Sequence, residues 1–187
     1  MRVPRGLYGG TNLFPPGAEF AKGSRFEPSC RFGEGSVFKG DCVFAKGSLI
    51  GAHTRVLTAC YFSSGTRVGV GCHFAQGCTF AADCVFDDGC RFDDGCVFHN
   101  DVTFGRYCTF ADRCMFGVAN RFGRGCHIGK HCKIKERAEF DEGCYLGEGT
   151  RLARWHTFAQ HCATDLSVRR GASRREYTTR NVPPKDI

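Results

Sequence analysis

Large apolar residues recur along this chain with a period of six. Every one of the eighteen phenylalanines lies at a position that leaves remainder two on division by six, from Phe14, Phe20 and Phe26 through Phe80, Phe86, Phe92 and Phe98 to Phe140 and Phe158. The seven vacancies in that series are filled by Ile50, Val56, Val68, Ile128, Ile134, Leu146 and Leu152. All fourteen cysteines fall in a second register two residues earlier, from Cys30 and Cys42 to Cys144 and Cys162. The unit is a large residue, a small or acidic one, two turn-like residues, Cys, Ser or Thr, and a variable residue, as in Phe86-Asp87-Asp88-Gly89-Cys90-Arg91. Its small, variable and large residues form a short extended piece whose side chains alternate in, out, in. The third position after the large residue is Gly in twelve of twenty-five units, and Asp41, Asp83 and Asp101 also occupy it. Gly and Asp tolerate a positive φ, so the chain turns a corner there. Strand, corner, strand, repeated without interruption, predicts an all-β coil.

With these residues in place, the chain resembles the hexapeptide-repeat family, whose unit is an aliphatic residue, a Gly, Ala, Glu or Asp, two variable positions, a small residue and one more variable position. The likeness covers about four-fifths of the chain, with Phe where the family mostly carries Ile, Val or Leu, and Cys at the small position. It implies a left-handed parallel β-helix of triangular section with three hexads, eighteen residues, per coil. About eight coils are then expected. Residues eighteen apart become neighbours on adjacent coils, so that Phe62, Phe80, Phe98 and Phe116 form one interior column.

The register divides the chain into residues 1–11 as a lead or cap, 12–164 as the coil, and 165–187 as a basic C-terminal tail or capping segment. At 187 residues one domain is expected. The opening MRVPRGLYGG has no apolar core of a leader, and no stretch has the length and apolarity of a membrane span, so a soluble cytoplasmic protein is expected. Cysteines always a multiple of six apart do not match disulfide frameworks or paired zinc spacings. They are expected to be free, small core residues in a reducing compartment. The net charge of +7 permits an acidic partner without demanding one.

Candidate chemistry is sparse. His53, His131 and His161 occupy corners, His73 and His127 face outward, His99 lies at the acidic position, and His156 falls in the small inward register. His156 and His161 have a spacing seen in zinc carbonic anhydrases of the resembled family, yet point to opposite sides of the wall, and zinc hydrolysis needs three converging ligands. The aspartates at 83, 87, 88, 93, 94 and 101 spread over successive corners and are expected to be solvated. Two columns, Cys42 to Cys132 and Cys72 to Cys162, bring thiols together along the interior, where they are read as filler beside bulky rings. No cofactor, metal or catalytic residue is assigned.

The outward residues say more. One side presents Val43, Tyr61, Thr79, Val97 and Met115 in a line, followed by Lys133 and Arg151. An uncharged run on a solvent-facing sheet marks an interface. A second side carries Arg55, His73, Arg91 and His127 and is weakly basic, and Arg169, Arg170, Arg174 and Arg175 make the tail basic. We therefore expect a non-catalytic prism that binds a protein, inhibitor-like, or serves as a structural part of an assembly, and that forms a homo-oligomer, a dimer or trimer, without a membrane role. Two alternatives stand beside it. One is a homotrimeric acyltransferase with its site between subunits and His73 or His127 as base. The other is an anion or nucleic-acid binder using the basic side and the tail.

Overall fold

The computed structural model describes residues 1–9 and 12–165, with the backbone of Arg169–Arg170. Strands of two residues recur every six residues, each made of one outward residue and the large inward residue that follows it. They assemble into three parallel sheets of ten, ten and nine strands. The first sheet runs through Glu19–Phe20, Val37–Phe38, Arg55–Val56, His73–Phe74 and Arg91–Phe92. The second runs through Arg25–Phe26, Val43–Phe44, Tyr61–Phe62, Thr79–Phe80, Val97–Phe98 and Met115–Phe116. The third includes Arg31–Phe32, Val85–Phe86, Thr103–Phe104 and Phe122 with its partner Phe140. The register is eighteen residues, as in Phe80 opposite Phe98 and Phe98 opposite Phe116. The chain is therefore an all-β parallel solenoid of three sides, and no helix occurs among the described residues.

Each hexad is tied to its neighbours by three backbone bonds. The amides of Val37 and Lys39 donate to the carbonyls of Ala18 and Phe20 in the coil below, at 2.8 and 3.1 Å, and the corner amide of Gly35 donates to Ala52 above at 2.8 Å. Twelve corners are non-glycine residues with φ between 48° and 65°. Asp and His are expected there, but Tyr107, Arg113, Ala119, Arg137 and Trp155 adopt the same conformation. An L residue with a Cβ is disfavoured in this region, so the stacked coils impose it. One corner departs. Gly40 takes φ 114°, the Asp41 amide reaches Ala59 instead of residue 58, and a Cβ on Gly40 would collide with Thr58 Oγ1.

Two differences from the sequence expectation concern the ends. There are about nine turns instead of eight, because the segment expected as a lead is itself coil. Arg2–Val3 and Leu7–Tyr8 pair with Glu19–Phe20 and Arg25–Phe26. Val3 lies opposite Phe20 at a separation of seventeen, so its step is one residue short and hidden from the period of six, while Tyr8 lies opposite Phe26 in the regular register of eighteen. At the other end Arg169–Arg170 forms a strand on Arg151–Leu152. Arg174 and Arg175 lie outside the described residues.

The interior is mostly aromatic, with Ile, Val or Leu at seven of the large positions. Within a column, phenyl rings stack at centroid spacings such as 4.8 Å for Phe62 and Phe80, 5.1 Å for Phe80 and Phe98, and 5.0 Å for Phe98 and Phe116. Between columns they meet edge to face, as Phe74 with Phe80 at 90° and Phe80 with Phe86 at 88°. Each ring thus offers its face along the axis and its edge around it, the two arrangements the aromatic quadrupole favours. Phe98 is 1% exposed and stands in the middle of this lattice. We expect Phe98→Ala to destabilise the protein by about 3–5 kcal/mol in denaturant unfolding, and Phe14→Ala, in the first complete coil, by clearly less.

Candidate functional site

The small inward register holds the chemistry that the rings leave room for. Thirteen of the fourteen cysteines are buried, Cys162 is half-buried, and all are free. Most hydroxyls in this register bond differently from the thiols, although Thr150 donates to Gly129 in the coil below at 3.1 Å. Ser36 and Thr54 donate to carbonyls three residues back in their own coil, Gly33 at 2.7 Å and Gly51 at 2.8 Å. Cys72 and Cys90 donate to carbonyls of the coil below, Gly51 at 3.2 Å and Gly69 at 3.4 Å. The small register also meets amides that the sheet leaves over. The Cys42 amide donates to Cys60 Sγ at 3.3 Å.

Burial pushes the Cys84 thiol up to about 11, because a thiolate in an apolar core has lost its water. In the stacked columns Cys60, Cys96, Cys126 and Cys132 are pushed well above the usual thiol range, first by the neighbouring thiol that holds their proton and then by burial. A negative charge in either column would be drawn to Cys114 or Cys144, each with a thiol on both sides, against the desolvation that opposes charge anywhere in this core. These are structural thiols, consistent with the filler reading.

The third small column contains two residues whose roles the sequence did not reveal. Asn120 is fully buried, accepts the Val102 amide on Oδ1 at 2.8 Å and donates from Nδ2 to the Gly117 carbonyl at 3.2 Å. His156 is inward as its register required, and its Nδ1 accepts the Ala138 amide at 3.2 Å. That bond fixes the proton on Nε2, a buried atom without a partner. Both residues serve the amide one coil below, eighteen residues earlier, so no local sequence signal marks them. His161, half of the proposed pair with His156, has an exposed side chain at a corner. Among the described residues no group of three or more His, Cys, Asp or Glu side chains converges as a metal ion would need.

The aspartates are not simply a solvated edge. Asp88 and Asp94 accept the amides of Arg106 and Asp112 in the next coil at 2.6 and 3.1 Å, and Asn100 and Asp112 do the same for Val118 and Lys130. They form a side-chain ladder along the corners that supplements the backbone ladder. Asp93 works on the flat side. Its Oδ1 lies 3.0 Å from His73 Nε2 and 3.8 Å from Arg91 Nε.

The three sides differ in charge. On the first, Arg55, His73, Arg91 and His127 stand in one row as expected, with Thr109 between the last two. Asp93 offsets the middle of this row, and His127 stacks on Tyr145 at 4.6 Å, whose hydroxyl donates to Asp165 at 2.9 Å. The third side alternates Arg31, Leu49, Arg67, Val85, Thr103 and Arg121, and then Glu139 paired with Arg121 at 3.3 Å. On the second side the structure brings Val43, Tyr61, Thr79, Val97 and Met115 onto five consecutive strands. Tyr61 and Met115 are each 43% exposed and the other three half-buried. The three middle strands are preceded by the small residues Ala59, Gly77 and Gly95, whereas the outer two are preceded by the charged corners Asp41 and Arg113; Ala45, Ser63, Ala81, His99 and Gly117 follow the strands. Arg25 precedes the run and Lys133 follows it.

No protein-family model, curated protein or solved structure matches this chain. Among the described residues no helix is long and apolar enough to cross a membrane.

Two outcomes follow from the interior. Alkylation of the native protein should modify at most Cys162 quickly, with the other thirteen thiols reacting only after unfolding, as mass spectrometry would count. Burial holds His156 below its usual pKa of 6.5, with Glu136 the charge that opposes this. The unfolded state then binds a proton that the folded state refuses, so the contribution of neutral His156 is complete above about pH 6.5 and is lost as pH falls below it. His156→Asn keeps an acceptor for the Ala138 amide, as Asn120 does for Val102, and should show a smaller loss of unfolding midpoint between pH 7 and 5 than the wild type.

Proposed function

We propose that this chain is a non-catalytic solenoid that acts through its second side, as a protein-binding or structural assembly component that self-associates. The observation that carries this reading is the uncharged row from Val43 to Met115. The other two sides interrupt every comparable stretch with Arg, Lys or Glu, or with His. A flat sheet of apolar side chains that large, bordered by Arg25 and Lys133, has the apolar centre and charged rim of an interface. Regularity supports the same reading, since from Leu7 the strands follow one another every six residues and among the described residues no inserted loop builds a concave site. In this reading the coil is the left-handed hexapeptide-repeat form, which the eighteen-residue register and the three sheets suit. The free, buried thiols suit a reducing compartment such as the cytoplasm.

Val97→Lys and Met115→Lys test the reading. Neither residue is in the core register, so circular dichroism and the unfolding midpoint should stay close to wild type. Each lost apolar contact costs roughly 1–3 kcal/mol, so either variant should weaken association by about tenfold or more in sedimentation at micromolar protein.

A further inference from the structure

Resting on the reading of the second side as an interface, we propose that its occupant is a second copy of this chain, docked face to face with its coils running in the opposite direction. The twofold axis lies along the strand direction at the Thr79 rung.

A flat side offers two twofold axes within its plane, and the charges choose between them. An axis parallel to the solenoid sets each rung against itself. Arg25, Lys133 and Arg151, which lie on this same sheet, would then each face their own copy. Tyr61 would meet the partner's Tyr61 and Met115 the partner's Met115, which holds the sheets apart over the smaller Thr79 and Val97. An axis along the strands instead sets a rung above Thr79 against the rung equally far below it. Tyr61 then faces the partner's Val97, and Val43 faces the partner's Met115, large against small on both pairs of rungs. This is the self-complementary contact a twofold interface requires.

The edges agree. The strand-parallel axis keeps positions along the strand, so a corner residue meets the corner residue of the opposed rung. Asp41, two rungs below Thr79, comes opposite the partner's Arg113, two rungs above. Glu27, three rungs below, comes opposite the partner's Lys135, three rungs above. Each opposition occurs twice in the dimer. Arg25 faces the partner's Lys133, a like-charged pair, with the Glu27 and Lys135 opposition two residues further along the same strands. Asp41 and Arg113 are more than half exposed and already ion-paired within the chain, Asp41 to Lys22 at 3.0 Å and Arg113 to Asp94 at 2.8 Å. Docking joins these two pairs into a row of alternating sign. Such rim charges set orientation and register more than affinity.

A spin label at Arg151→Cys, in a Cys162→Ser chain so that no half-exposed thiol competes, reads the direction. Arg151 lies four rungs above Thr79, so coil-reversed docking separates the two labels by eight rungs, about 40 Å at the strand spacing. Docking with coils in the same direction, as a dimer or around a threefold axis, puts them within about 20 Å across facing sheets. A distance near the longer value supports the proposal and one near the shorter overturns it. Arg113→Asp should weaken the dimer roughly tenfold, and Asp41→Arg in the same chain should restore it; no restoration counts against the opposition of these two residues. Wild-type protein that sediments as a monomer at about 100 µM overturns the second copy as occupant and leaves the side open to another protein. A dimer that Val97→Lys does not weaken overturns the interface reading itself.

Discussion

The distance between neighbouring strands of a parallel sheet, about 4.8 Å, is close to the distance at which offset phenyl rings stack. The rest of this structure depends on that coincidence. Along most of each column a Phe at the large position falls on a Phe eighteen residues later, with centroids 4.3 Å apart for Phe44 and Phe62 and 5.3 Å for Phe86 and Phe104. The backbone ladder and the ring ladder therefore share one repeat, and a coil with Phe in its three large positions adds ring contacts together with its amide bonds. Roughly 1.5–3 kcal/mol accompanies burial of each large side chain, and a stacked or edge-on pair contributes about 0.5–1.5 kcal/mol more. Where Ile50, Val56 and Val68 replace rings, two columns are interrupted over neighbouring turns, and the irregular corner at Gly40 and Ala59 lies close by in the same part of the solenoid.

Filling the axis with rings decides what the remaining positions can be. Two residues before each ring the space is narrow, and Cys, Ser, Thr and Ala fit it. The sulfur is long enough to reach a carbonyl of the coil below, whereas most hydroxyls turn back to their own coil, Thr150 being an exception that reaches Gly129. Larger polar residues in this register take an amide of the coil below as partner. Asn120 satisfies both ends of its amide, while His156 satisfies one nitrogen and leaves the other bare. The corners carry a parallel strain. Trp155 and Tyr107 hold a positive φ because the strands on either side are fixed by pairing to the coils above and below.

Since the large and small registers and the corners are all committed to the coil, the outward strand residue is the position freest to vary from hexad to hexad. Three rows of such residues run the length of the solenoid, and two are sprinkled with charge as an exposed sheet edge or face must be to stay unpartnered. The row from Val43 to Met115 is not. Its side chains lie outside the core register and stay uncharged over five coils.

The sequence by itself determined the element type, the inward and outward faces and the burial of the cysteines. All three follow from the alternation of side chains within one hexad, a purely local property of extended chain. Parity alone placed Val97 and Met115 outward and His156 inward. The number of hexads per turn is a different matter. The period of six is the same for any coil built of whole hexads, and eighteen residues entered through a family resemblance. Only the folded coil decided which amide Asn120 meets, why Asp88 and Asp94 are acidic, and that Asp93 lies against His73, because each partner is eighteen to twenty residues away. It also showed the opening segment to be coil, since the seventeen-residue step from Val3 to Phe20 erases the period where it begins. A linear pattern records which way a side chain points; the closure of the turn decides what it points at.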